Sequence, residues 1–280
     1  MKVDREAPAD AADTDPSSAW DHGTNREFYD YYAAQSESPE AIRRARAARD
    51  VVLAVMGPLD PGARLDVADI GCGAGTFGLA WAEAGHRVSG LDVNRPLVEL
   101  ARERARERGL DARFEVGSAT SLPWPDESMD VCSVPELLEH VAEWRTCLDE
   151  FTRILRPGGV LYLTTTNALC PRQAEFNLPG YSWYPGPLKR RYERLAVTTR
   201  PDIANHAKYP AVNWFTFYGL RAALAERGCS SLDRFDLLGF KDLGPVKRLI
   251  VGSIRALPPL RLAAHMATPG TRLAAIKTGR

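Results

Sequence analysis

The sequence predicts an α/β fold, a doubly wound, mainly parallel sheet with helices on both faces, and three observations carry the prediction. The first is alternation. Short apolar runs at 65–70, 87–91, 112–116, 130–134 and 160–166 read as strands, and the segments between them have helical signals. The second is the turn Asp69-Ile70-Gly71-Cys72-Gly73-Ala74-Gly75-Thr76 after the first strand, with a helix start at Thr76. Its glycines allow a tight turn and let a ligand approach where a Cβ would clash. The third is Val88-Ser89-Gly90-Leu91-Asp92, a second strand that ends in a carboxylate able to accept both hydroxyls of a ribose.

Each element has its own signal. Residues 1–18, rich in Ala, Asp and Pro, read as a disordered tail. Trp20, Phe28, Tyr29, Tyr31 and Tyr32 follow, and 19–60 reads either as helix packed on the core or as a helical lid with aromatic contacts. Ser38-Pro39-Glu40 is a helix start: a capping hydroxyl, a proline at the first turn and an acid. That helix stops at Gly57-Pro58. A helix over 76–84 ends at Gly85, and Asn94 caps another that closes at Gly109. Trp144, Leu148, Phe151 and Leu155 share one side of a helix over 141–155, and Pro157-Gly158-Gly159 turns into the fifth strand. A helix over 216–227 and a sixth strand over 232–238 follow.

Composition excludes several classes. Lys plus Arg and Asp plus Glu are equal at 36 each, so no global field points to nucleic acid. The 5 cysteines are scattered without a CxxC pair, which argues against a disulfide framework or a zinc site and for a reducing compartment. The N-terminus lacks the apolar core of a signal peptide, and no stretch reads as a membrane span. The expected localisation is cytoplasmic. From Leu243 onward, however, there is no acidic residue, while seven are basic. The apolar, basic stretch 246–266 reads as an interfacial segment for peripheral contact with an anionic membrane, as helices of a cap, or as a dimer contact. Pro258-Pro259 interrupts any continuous helix there.

The glycine turn satisfies two spacings. Gly73-Ala74-Gly75-Thr76-Phe77-Gly78 fits a dinucleotide fingerprint literally, whereas Asp69-x-Gly71-x-Gly73-x-Gly75 fits a different pattern better. An ordinary tight turn is the bland alternative. The second pattern resembles motif I of the class I S-adenosylmethionine-dependent methyltransferases. Other segments resemble the same family in the same order. They are Gly117-Ser118-Ala119, Leu122 through Asp130, and Arg153-Ile154-Leu155-Arg156-Pro157-Gly158-Gly159. The resemblance covers about 64–166 and is similar in character to the ubiquinone-pathway O-methyltransferases.

The resemblance implies a Rossmann-like, seven-stranded, mainly parallel sheet with a helical acceptor cap. Its seventh, antiparallel strand falls at 272–277. The organisation it implies is a cofactor core over 61–166, an acceptor-recognition insert over 167–214 and completion of the sheet over 215–280. It implies S-adenosyl-L-methionine as cofactor, with Asp69 near the methionine moiety, Gly71, Gly73 and Gly75 under the cofactor, and Asp92 on the ribose. Ser118 stands where the family has an acid for the adenine amino group; it accepts a hydrogen bond without a charge, and the backbone of Ala119 is placed to read the ring edge.

The acceptor belongs beyond the carboxyl ends of the fourth and fifth strands, beside Pro135-Glu136-Leu137-Leu138-Glu139-His140. His140 is a candidate base or a structural histidine, and His206 is a second candidate. Glu136, Glu139 and His140 resemble a segment linked to a divalent cation in the ubiquinone-pathway enzymes. Similar pairs occur in family members without metal, so no metal is expected. Tyr29, Tyr184 and Trp214 are the candidate substrate contacts. The expected function is methyl transfer to a small-molecule acceptor, on the oxygen of a phenol, sugar or lipid-linked hydroxyl. Transfer to carbon or nitrogen, or a non-catalytic cofactor-binding scaffold, stay open, as does the choice of monomer or homodimer.

Overall fold

The computed structural model describes residues 26–173, 175–204, 211–239 and 243–279. The expected tail over 1–18, Trp20 and His206 lie outside the described residues. Two helices come first, α1 (Arg26–Ser36) and α2 (Pro39–Met56). Ser38 caps α2 as its sequence predicts: the side chain accepts from the Ala41 N–H at 3.2 Å, a contact that stabilises a helix by about 1 kcal/mol.

The core then alternates: β1 (Asp66–Ile70), α3 (Thr76–Ala82), β2 (Arg87–Asp92), α4 (Arg95–Glu107), β3 (Ala112–Val116), β4 (Met129–Pro135), α5 (Trp144–Ile154) and β5 (Leu155–Thr166). After β5 come α6 (Gly186–Thr198), α7 (Phe217–Ala225), β6 (Cys229–Asp233), α8 (Pro245–Ala256), α9 (Pro258–Met266) and β7 (Gly270–Lys277). Among the described residues, seven strands form one sheet in the order β3-β2-β1-β4-β5-β7-β6. The pairs from β3 through β5 are parallel, and β7 runs antiparallel between β5 and β6. Strand order reverses between β1 and β4, which is where such sheets open a crevice at their carboxyl ends.

Alternate side chains of the strands feed two cores. On one face Val67, Val88, Val131 and Val160 pack with Ala48 and Val52 of α2 and Trp81 of α3. There too Val98 and Ala101 of α4 cover Phe114. On the other face Ile70, Cys132, Leu161 and Leu163 meet Leu148 and Phe151 of α5 and Phe217, Leu220 and Leu224 of α7.

Three boundaries differ from expectation. The helix expected over 141–155 begins only at Trp144, because Leu138–His140 winds as a separate 3-10 turn. The fifth strand begins at Leu155 rather than 160: Met129 pairs with Leu155 and Val131 with Val160, so Arg156 to Gly159 bulge out between paired positions. The sixth strand lies at Cys229–Asp233, not 232–238. The Asp233 carboxylate ends it by accepting the N–H groups of Phe235 (2.8 Å) and Asp236 (3.0 Å), an Asx turn that redirects the backbone. The same carboxylate is held by Arg261 (2.6 Å) and by His265 Nε2 (2.8 Å), so α9 is tied to the end of β6.

Candidate functional site

The glycine turn sits at the carboxyl end of β1, inside the crevice. Gly71, Gly73 and Gly75 hold φ of +70°, +51° and +84°, the left-handed region that side chains disfavour. Gly71 and Cys72 donate to the Leu91 carbonyl (2.8 and 3.1 Å), which welds the turn to β2. Asp92 completes the weld. One carboxylate oxygen accepts the Gly73 N–H at 2.8 Å and the other accepts the Asn94 N–H at 2.8 Å. Burial raises the Asp92 pKa, and these N–H donors oppose the rise. Asp92 therefore shapes the loop as well as offering its remaining lone pairs to a ligand.

Asp69 is wholly buried. Its Oδ2 accepts the Gly78 N–H in the first turn of α3 at 2.8 Å, so it fastens β1 to the helix that follows the loop. Its Oδ1 is buried with no hydrogen-bond partner. Burial, with a smaller contribution from Asp92, pushes its pKa up to about 7. Ser118 follows β3 and is half-buried; its hydroxyl lies 2.7 Å from that of Thr120 and accepts the Thr120 N–H at 3.2 Å, a local turn. Ala119 beside it is buried.

The helix α1 lies over this crevice, through Tyr32 of the expected aromatic cluster and through Arg104, Ser36 and Ala33, which sequence reasoning did not single out. A Cβ built on Gly73 would lie 2.8 Å from the Tyr32 hydroxyl, so that hydroxyl rests on the turn. Burial first, then the carboxylate of Asp92, pushes the Tyr32 pKa up to about 12. Arg104 of α4 is buried and joins α1 to the glycine turn with one guanidinium. It donates to the Ala74 carbonyl (2.9 Å), to Ser36 Oγ (3.0 Å) and to the Ala33 carbonyl (3.0 Å). Thr76 Oγ1 adds a bond to the Ser36 carbonyl at 2.8 Å. Among the candidate substrate contacts, Tyr29 is a half-buried neighbour on the same helix.

The far side of the crevice is built on the end of β4. Glu136 is exposed and holds φ +50°, a strained conformation for a residue with a side chain. The Leu137 side chain lies against Gly71. Glu139 turns the other way, into the core, where Thr165 Oγ1 of β5 donates to it at 2.7 Å and burial pushes its pKa up to about 8. Burial pushes His140 down to about 4, so its imidazole is neutral near pH 7. Glu136, Glu139 and His140 do not converge: among the described residues no three metal-ligating side chains form a group.

The segment after β5 returns to this turn. The N–H groups of Val212 and Asn213 donate to the Glu139 carbonyl (2.8 and 3.0 Å), and Asn213 Nδ2 donates to the Leu138 and Val141 carbonyls (3.0 and 2.7 Å). Asn213, which the sequence reading passed over, thus holds the turn that carries His140. Trp214 and Tyr184, both half-buried, pack around the buried Tyr181, with ring centroids 5.4 Å from it in each case. Phe176 stacks on Tyr181 at 4.1 Å, and Lys189 Nζ lies 4.7 Å from the Trp214 ring centre. These aromatics form a small core of their own.

Residues 68–163, which contain the glycine turn, Asp92 and the β4 end, match the family model described as a methyltransferase domain. Over these residues the chain carries a methyltransferase domain. Curated relatives of this methyltransferase domain include a ubiquinone biosynthesis O-methyltransferase of Maricaulis maris, 32% identical over 139 residues, which are 49% of this chain and 54% of that protein. A 27-O-demethylrifamycin SV methyltransferase of Amycolatopsis mediterranei is 40% identical over 114 residues, 40% of this chain and 41% of that protein. The chain thus spans about half the length, or less, of the curated relatives it matches. Among solved structures, the YcgJ protein of Bacillus subtilis aligns with a TM-score of 0.52 at 20% identity, over 83% of this chain and 100% of that one. The [4+2]-cyclase SpnF aligns with a TM-score of 0.53 at 20% identity, over 86% and 82%.

The residues of this methyltransferase domain fit the family's cofactor. Asp92 beside the glycine turn has lone pairs to spare, and Asp69 keeps a buried oxygen with no hydrogen-bond partner, an acceptor that a ligand carrying an ammonium and a sulfonium would satisfy. A pH dependence follows. A carboxyl with a raised folded pKa binds more protons in the native state between its usual value and about 7, so its contribution lowers stability as pH rises through that window. A cationic ligand favours the ionised form. Affinity for S-adenosylmethionine should therefore rise with pH up to about 7 and level off above, approaching tenfold per pH unit where one proton is released. Titration calorimetry in buffers of different ionisation enthalpy would count that proton. In Asp69→Asn the slope should flatten; an unchanged slope would assign it elsewhere.

Proposed function

We propose that the chain transfers the methyl group of S-adenosylmethionine to a hydroxyl of a small-molecule acceptor, of the phenolic, sugar or lipid-linked kind. The observation that supports this best is the junction of two parts: the cofactor cradle ends where the β4 turn begins, and an aromatic segment returns over that turn through Asn213. Methyl transfer from a sulfonium is an in-line displacement, so the protein's task is to align donor and acceptor and exclude water. The relatives' names add O-methylation of unrelated acceptors, which favours oxygen as the receiving atom and leaves the acceptor to the segment outside the shared core.

His140 takes the acceptor proton in this reading. Its low pKa keeps it in the base form throughout the physiological range, so no titration of His140 should shape the rate above about pH 5. His140→Ala should leave cofactor affinity within about twofold and lower kcat by about 10²-fold, the usual scale of general-base catalysis. Turnover of a panel of catechols, glycosides and isoprenoid phenols with labelled cofactor tests both points. Mass spectrometry that places the methyl on carbon or nitrogen would replace the oxygen assignment with the C- or N-transfer alternative. The second reading is that the fold holds the cofactor without transferring its methyl, since one fold can host different chemistries, as a fold neighbour described as a cyclase illustrates. Any acceptor turnover excludes it.

A further inference from the structure

Half of the exposed large apolar side chains among the described residues lie on α8, α9 and their junction. Val246, Leu249 and Ile250 are 70, 72 and 52% exposed, and Leu257 at the junction is 50% exposed. At helical spacing Val246, Leu249 and Ile250 fall on one face of α8, within an arc of about 100°, and Leu257 lies just past its end. Val251, the only buried residue of α8, is on the other side. So is Arg255, which donates to the Phe235 carbonyl (2.6 Å) and the Leu238 carbonyl (2.6 Å). The inner face is thus fully used to dock α8 on the turn after β6, and the apolar stripe faces away from it. A monomer seldom leaves such a stripe uncovered.

Charge decides among occupants. Lys247 is exposed beside the stripe, Arg248 is exposed further round the helix, and no acid occurs from Leu243 to the end of the chain. The nearby Asp233 and Asp236 are bound to Arg261 on the inner side. A two-fold contact with a second copy would set the same cations against themselves with no acid to neutralise them. An anionic lipid surface meets both needs, an apolar layer for the stripe and negative headgroups for the cations. Asn167, just after β5, donates to the carbonyls of His265 (2.8 Å) and Thr268 (2.7 Å) at the end of α9. The helix pair therefore stands on the same edge of the sheet as the crevice.

We propose that the α8–α9 face docks peripherally on an anionic lipid bilayer and brings the crevice to the membrane surface. This does not depend on the acceptor or on methyl transfer, so its test needs neither. The full chain is floated with extruded vesicles of phosphatidylcholine alone or enriched in phosphatidylglycerol. It should bind the anionic vesicles only, and less as salt rises. Leu249→Ser/Ile250→Ser and, separately, Lys247→Glu should each lower the bound fraction by about tenfold or more. Leu59→Ser, an exposed apolar site outside this face, should not. Calorimetric cofactor binding by each variant verifies that it is folded. Failure of the wild-type chain to bind anionic vesicles would overturn the proposal. So would binding that the stripe variants leave intact, or a solution dimer that the Leu249/Ile250 variant splits, which would give the face to a second copy.

Discussion

Gly73→Val should abolish measurable binding of S-adenosylmethionine, with a loss of affinity of about 10²-fold or more. The backbone carries the first part of the effect. At φ +51° a β-branched side chain is strained by about 1–2 kcal/mol or more. If the loop relaxes, the Gly73 N–H swings away from Asp92 and a buried carboxylate loses a donor, a cost of about 1.5–3 kcal/mol for a bond to a charged group. Space carries the second part. The new Cβ would meet the Tyr32 hydroxyl at 2.8 Å and turn that ring away from the loop. About 3 kcal/mol felt at the site is already a 10²-fold loss, at roughly 1.4 kcal/mol per factor of ten. Gly85→Val is the matched comparison. Its φ is +89°, yet nothing lies within 4 Å of its Cβ position. It should lower thermal stability by a similar strain and spare cofactor affinity. Calorimetry with S-adenosylhomocysteine on both variants, alongside thermal unfolding, separates the two. Near-normal affinity in Gly73→Val would remove the glycine turn from the binding site.

The contrast between these glycines shows what a sequence can reveal. The order of strand, glycine turn, helix and acid-tipped strand is local chemistry, written in turn residues, caps and alternating apolar runs. Ser38 and Asn94 cap the helices that their sequence context announces. Elements that failed locally did so because distant residues decide them. The sixth strand was misplaced by three residues at its start. Its end is set by the Asp233 turn, and Asp233 is held by residues about thirty positions further on. The early start of β5 depends on Met129 pairing across to Leu155. The site divides in the same way. Asp69, Gly73 and Asp92 meet because a short strand–turn–strand unit brings them together. Tyr32 has only the signal of an aromatic cluster in the expected lid, and Arg104 has none, reading as one more arginine on a charged helix. Only the packing of α1 across α4 makes them part of the crevice.

Arg104→Met should uncouple the lid from the loop, with the largest effect of any change outside the turn itself. The arginine sits among charged residues of α4 whose spacing suggests a solvated face, yet it is 5% exposed. Its guanidinium donates hydrogen bonds to the Ala74 carbonyl in the glycine turn and to Ser36 Oγ and the Ala33 carbonyl at the end of α1, and it pairs with the Glu37 carboxylate just beyond α1 at 3.4 Å. Methionine keeps most of the stem and its packing but supplies no donor, so buried acceptors lose their partner at about 1–3 kcal/mol each. Water entering from the lid side would recover part of that cost, which makes a net loss of about 2–3 kcal/mol the reasonable expectation. Because the bonds bridge two segments, the loss should be shared. Thermal stability falls modestly, while cofactor affinity drops by about tenfold or more as the lid stops holding Tyr32 over Gly73. Arg104→Lys tests the geometry: one ammonium cannot reproduce the forked contacts to both segments, so it should recover stability better than affinity. Hydrogen exchange should report the detachment directly, with faster exchange of amides in Arg26–Ser36 and little change in the sheet. If both variants bind the cofactor normally while α1 exchanges faster, the lid plays no part in holding the cofactor.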